Sequence, residues 1–200
     1  MKLRPRVLLP LIFVLAVGGG IGGFFVRGTW ADGIVRTPTT HADGMIRQLL
    51  LTTEGRKIVR GALVVDAPID AVWDAITDYD HFADFMPNVA SLHSSVEADG
   101  RFKLSGIVTT FAADFPVELH VKHDRAAWTT SWDEATGEFA VNKGHWTLEK
   151  HGTGDHTLVV YELDIEVKGY PSPVVRALVL HRLKKTLRAV EKRVSPKRPS

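Results

Sequence analysis

The stretch Gly61 to Val89, GALVVDAPIDAVWDAITDYDHFADFMPNV, constrains this chain more than any other part of it. It orders a strand, a proline-started helix and an aromatic-acidic elbow within one short piece. Leu63, Val64 and Val65 form an apolar run ending in two β-branched residues, which suits a strand. Asp66 and Ala67 break the run, and Pro68 takes a first-turn position where its missing N–H costs nothing. Ile69, Val72, Trp73 and Ile76 then repeat at i, i+3, i+4 and i+7, which predicts a helix with one apolar stripe. Asp70, Asp74 and Asp78 fall on another face, read as solvated. Tyr79, Phe82, Phe85 and Met86 recur at helical spacing in a second short helix, ended before Pro87.

From Asn88 the apolar period drops to two, and turn residues separate short runs at intervals suited to an antiparallel sheet. Val89 to Val96 ends at the turn Ala98-Asp99-Gly100-Arg101, and Phe102 to Thr110 follows. Phe115, Val117, Leu119 and Val121 alternate with Glu118, His120 and Lys122, giving one apolar and one wet face. Trp128 to Trp132 is read as turning through Asp133 to Gly137 into Gly144 to Lys150, and Gly152 to Asp155 closes the next hairpin. Val159, Tyr161, Leu163, Ile165 and Val167 alternate with Glu162, Asp164 and Glu166 in the last strand. After the break Gly169-Tyr170-Pro171-Ser172-Pro173, Val174 to Val194 holds neither glycine nor proline and reads as one long helix. Its first half is apolar nearly all round and must be covered by something, whether protein, ligand or membrane.

With 200 residues, 44% of them hydrophobic, the chain suits one globular domain plus extensions. The absence of cysteine excludes disulfides, thiolate metal sites and cysteine nucleophiles. Lys2, Arg4 and Arg6 precede an apolar run from Val7 to Val26 that ends at Arg27. That run is about as long as a hydrocarbon core is thick, which favours an uncleaved anchor; Thr29-Trp30-Ala31 leaves cleavage of a signal segment open. Either way the charge bias places the domain outside the cytoplasm, periplasmic or external, and secreted if the segment is cleaved. The expected organisation is a membrane segment at 1–27, a tether at 28–56, a domain at 57–194 and a basic tail at 195–200. Within the tether, Met45 to Leu51 reads as one or two helical turns against the domain.

Residues 1–27 and 182–200 hold twelve Lys/Arg against one acid, whereas residues 28–181 hold thirteen against twenty-two. This acidic body excludes nucleic acid as a partner. The basic terminal helix suits anionic lipid headgroups or plain solvation.

The order strand, two short helices, about six antiparallel strands and a long closing helix resembles that of the START-like superfamily, also called SRPBCC or helix-grip. VDAPIDAVWDAITDYDHFADFMPNV is similar to the start of its polyketide cyclase and coenzyme Q-binding branch, and Gly144-His145-Trp146-Thr147-Leu148 to a Gly-x-Trp strand there. The resemblance spans roughly Ile58 to Val194. It implies an α+β fold in which a curved antiparallel sheet wraps around the long C-terminal helix, with a cavity between them for an apolar small molecule. The N-terminal membrane segment departs from the usual pattern of the family.

Phe85, Trp146, Tyr161, Leu163, Val175, Leu178 and Val179 are the expected ligand-facing residues, although cores and pockets use the same residue types. His181 and Arg182 follow the most apolar part of the last helix. Turned inward, either could bond a ligand's carbonyl, hydroxyl or carboxylate, with Arg176 as a second option. No Gly-x-Ser-x-Gly elbow and no His-Glu-x-x-His motif occurs. His120 and His123 lie three apart on a strand and so point to opposite faces. No catalytic residue, metal ligand or cofactor is assigned. The expected function is membrane-tethered binding or transport of a lipid, quinone or polyketide-like molecule. The alternative is a cyclase or aromatase using the same cavity, with Tyr161, His181 or Arg182 in chemical roles.

Overall fold

A computed structural model describes residues 44–52, 55–110 and 113–195. The elements run β1 (Ile46–Leu51), β2 (Lys57–Val65), α1 (Ile69–Thr77), a 3-10 turn (Tyr79–His81) and α2 (Phe82–Phe85). Then come β3 (Val89–Val96), β4 (Phe102–Thr109), β5 (Asp114–Asp124), β6 (Thr129–Gly137), β7 (Phe139–His151), β8 (His156–Val167) and α3 (Ser172–Val194). The strands form one antiparallel sheet in the order β1-β2-β8-β7-β6-β5-β4-β3. The chain's early strand therefore pairs with its last, and the meander between them curls around α3.

Pro68 caps α1 in an extended conformation, and Ile69, Val72, Trp73 and Ile76 are all buried. They meet Val59, Leu63, Val65, Leu148 and Val159 of the sheet and Leu183, Leu187 and Val190 of α3 in the main core. Burial of each such side chain contributes about 2 kcal/mol. Gly61 of β2 lets α3 approach closely: a Cβ built there would fall 2.5 Å from Leu183 Cδ2 and 2.9 Å from Leu187 Cδ1. The second half of α3 is thereby seated on the sheet. In the first half Val175 is buried against Leu163 and Ile165, while Leu178, Val179 and Leu180 are only half-buried and Val174 is exposed.

Three sequence expectations require correction or relocation. Met45 to Leu51 forms no helical turn, since Ile46–Leu51 is a strand registered on β2 from Ile46↔Ala62 to Leu51↔Lys57. Its pattern is blurred because Leu49 and Leu51 stay about half-exposed at the sheet edge. Asp133 to Gly137 is strand rather than turn; β6 runs on beside β5 as far as Gly137↔Val117, whereas its ladder with β7 ends at Trp132↔Gly144. On β8 the alternating acids are enclosed, with Glu162 and Asp164 buried beside arginines. The expected membrane segment lies outside the described residues. Among the described residues no helix is long and apolar enough to cross a membrane.

The buried charges on β8 form a cross-strand set. Arg60, Glu162 and His145 are direct neighbours across β2, β8 and β7, with Arg60 Nε 3.1 Å from Glu162 Oε1 and His145 Nε2 2.9 Å from Glu162 Oε2. Next to it Arg56 forks onto Asp164. Alternation places these groups on the face opposite Tyr161 and Leu163, away from α3.

Candidate functional site

The wedge between the sheet and the first half of α3 encloses a cavity of about 330 Å³. That is the low end of the range for small-molecule sites. β8 contributes Tyr161, Leu163, Ile165 and Val167, β7 contributes Phe139, Asn142 and Trp146, and β4 to β6 add Leu104, Val117, Leu119, Thr130 and Trp132. α3 presents Val174, Val175, Leu178, Val179, Arg182, Leu183 and Thr186, a stripe at helical spacing. Ile107, Tyr170 and Val174 line the cavity yet remain 41%, 43% and 48% exposed, so they mark its mouth.

The floor is aromatic. Trp146 and Tyr161 are cross-strand partners with ring centroids 4.5 Å apart, and Trp132 lies 5.7 Å from Tyr161. Gly144 makes room for Trp132, since a Cβ there would run into its ring and into the Glu162 carbonyl. Where β6 and β7 part, Trp132 Nε1 donates to Asn142 Oδ1 at 3.4 Å. Burial pushes the Tyr161 phenol far above its ordinary range, so it stays neutral and serves as a hydrogen-bond donor or acceptor rather than a base.

The inner end carries one polar cluster. Tyr79 Oη lies 2.7 Å from His123 Nε2 and 3.3 Å from Thr130 Oγ1. His123 stacks on Phe102 at 4.5 Å and meets Trp73 edge-on at 5.6 Å. Desolvation lowers the His123 pKa, which favours the neutral ring as acceptor of the Tyr79 hydroxyl, and burial raises that hydroxyl's own pKa. Reach from Tyr79 therefore ends on partners already in place.

Of the nine residues expected to face a ligand, Trp146, Tyr161, Leu163, Val175, Leu178, Val179 and Arg182 line the cavity. Phe85 and His181 do not. Phe85 packs edge-on against Phe82 at 5.6 Å, with the Arg193 guanidinium 5.2 Å from its ring, in the seam between α2 and α3. Phe82 and Met86, one turn apart, are the α2-side residues that reach the cavity. His181 is exposed on the outer side of α3. Arg176 turns to Glu166 Oε1 at 2.9 Å. Arg182 Nη1 donates to Oδ1 of Asn88, a residue held at φ 70 before β3, in the left-handed region that asparagine tolerates.

The aspartates of α1 and the elbow serve the surface. Asp70 pairs with Arg125, Asp78 with His81 at 2.6 Å, and Asp80 accepts from the Ser94 amide at 2.8 Å and its hydroxyl at 3.0 Å. Those two bonds lower the Asp80 pKa. Among the described residues no three metal-ligating side chains gather at one point. Residues missed in the sequence include Trp132, Asn142 and Thr130. The period-two pattern of β6 carries a signal for Thr130 and Trp132, which sit two apart.

The same fold occurs in solved structures. A START superfamily protein from Mycobacterium smegmatis is 22% identical with TM-score 0.60, over 68% of this chain and 96% of that one. The Zhui aromatase/cyclase from Streptomyces sp. R1128 is 18% identical with TM-score 0.62, over 68% and 92%. A STAR-related lipid transfer protein fragment from Xanthomonas axonopodis is 18% identical with TM-score 0.60, over 78% and 97%. At these identities the likeness is one of fold. No curated protein sequence matches the chain. The family model for polyketide cyclase/dehydrase and lipid transport matches residues 65–191, from the end of β2 almost to the end of α3. With its helix-grip architecture and a family model spanning most of its length, this chain belongs to the polyketide cyclase/dehydrase and lipid transport family.

Proposed function

We propose that this protein is a membrane-tethered, extracytoplasmic binder or carrier of a hydrophobic small molecule held between the sheet and α3. One observation carries the reading: the cavity lining is mostly apolar and aromatic and, among the described residues, contains no Asp, Glu, His, Lys or Cys. Acid–base or nucleophilic chemistry needs a group that titrates near working pH or an activated nucleophile, and this lining offers neither. Burying an apolar ligand here removes its surface from water at roughly 25 cal/mol per Å². The exposed apolar side chains at the mouth suit exchange with a membrane surface. Tethering rests on the basic-then-apolar sequence of residues 2–27.

A cyclase or aromatase reading draws on the family description and on the Tyr161 phenol in the lining. Folding a reactive chain in a shaped cavity requires few titrating groups. The raised pKa of Tyr161 makes it a weak acid, which favours the binder. Mass spectrometry of organic extracts from the purified full chain tests the proposal. A recurrent apolar molecule, or uptake of added lipid or quinone, is the expected result; repeated absence of both contradicts it.

A further inference from the structure

Among the described residues, Arg182 is the one charged residue in the cavity lining. The other arginines of α3 each meet a carboxylate: Arg176 Nη2 lies 2.9 Å from Glu166 Oε1, Arg188 Nη1 2.6 Å from Glu191 Oε2, and Arg193 Nη2 3.4 Å from Asp78 Oδ2. Arg182 instead donates to the neutral Asn88 amide oxygen, its one hydrogen-bond partner among the described residues. Among the described residues no acid stands in the lining to neutralise it, and the sole carboxylate on α3, Glu191, is engaged by Arg188. A half-buried cation against apolar walls, held by a neutral partner, is electrostatically incomplete. Its planar fork has further N–H donors beyond the one that Asn88 accepts, in a geometry suited to two oxygens of one oxyanion.

From this arrangement we infer that the ligand is an anionic amphiphile. Its carboxylate or phosphate head sits at Arg182, with Asn88 holding the guanidinium in place, and its apolar body runs under α3 toward Trp146 and Tyr161. This deepens the container reading and rests on it. A neutral lipid would leave Arg182 uncompensated, whereas an anion converts a desolvated charge into a charge-assisted, forked contact. The α3 stripe places Leu178 and Val179 one turn before Arg182 along the cavity, so head and body recognition lie on one helix face.

The test uses the purified full chain freed of bound ligand and loaded with Nile red, a neutral apolar dye. Dodecanoate, dodecyl phosphate and dodecanol compete for the site at matched chain length. The expected result is that at least one oxyanion displaces the dye at roughly tenfold or more lower concentration than the alcohol, as a charge-assisted bond implies. Which of the two does so identifies the head group. In Arg182→Met that gap closes. Equal displacement by alcohol and oxyanions in the unmodified protein overturns the inference while leaving the container intact. Failure of the dye and of all three amphiphiles to bind overturns the container reading itself.

Discussion

Gly61 and Leu183 are in direct contact across the seam where α3 grips the sheet, so closely that a Cβ on residue 61 would fall 2.5 Å from Leu183 Cδ2 and 2.7 Å from its Cγ. Gly61 takes no left-handed conformation, so what alanine would change there is space alone. Gly61→Ala should destabilise the domain by roughly 1 to 3 kcal/mol, the cost of overpacking, seen as a lowered Tm in thermal unfolding. An unchanged Tm would show that the seam is looser than described.

The buried Glu162 should matter far more than Glu166, four residues on along the same strand face. Its side chain is 2% exposed between Arg60 and His145, whereas that of Glu166 is 31% exposed beside Arg56 and Arg176. Removing Glu162 strands the Arg60 charge, so Glu162→Ala should cost roughly 3 to 5 kcal/mol in urea unfolding. Glu166→Ala should cost no more than about 1 kcal/mol.

The pH dependence of stability should carry a His123 component. Burial lowers its folded pKa, so below the unfolded value of about 6.5 the unfolded chain binds the extra proton first. His123 therefore costs nothing above that pH, and stability declines as pH falls through the unfolded pKa toward the lower folded one. His123→Gln should flatten this fall relative to the unmodified protein in denaturant titrations across mildly acidic pH. An identical slope would place His123 in solvent.

Membrane association should follow residues 1–27. The full chain should sediment with membranes and be open to protease from the outer side, while a chain lacking 1–27 should leave the pellet. Retention of the shortened chain would move the membrane contact to the cavity mouth or the basic face of α3.

Much of the architecture is readable because period and punctuation agree. β8 alternates from Tyr161 to Val167, α1 announces itself by Pro68 and a four-residue stripe, and α3 by its length without glycine or proline between Val174 and Val194. β1 is not readable, since an edge strand with Leu49 and Leu51 half-exposed shows no clean alternation. Choosing between His181 and Arg182 is equally beyond the sequence. A helix apolar all round at that point does not reveal its phase, so the pattern alone does not select which of the two turns inward. The register of Leu183 and Leu187 on Gly61 sets that phase and turns Arg182 inward. Trp132 and Asn142 escape for another reason: their meeting depends on where β6 leaves β7.

The central claim is that an apolar molecule occupies the space beneath the first half of α3. Leu178 lines that space and is half-buried, so Leu178→Trp should fill the cavity while leaving the seam at Gly61 untouched. Native mass spectrometry of the two full-length proteins, purified side by side, measures occupancy directly. The account predicts one bound apolar molecule per chain in the unmodified protein and none in a folded Leu178→Trp variant. Equal occupancy in both, or an empty unmodified protein that takes up no added lipid, would contradict it.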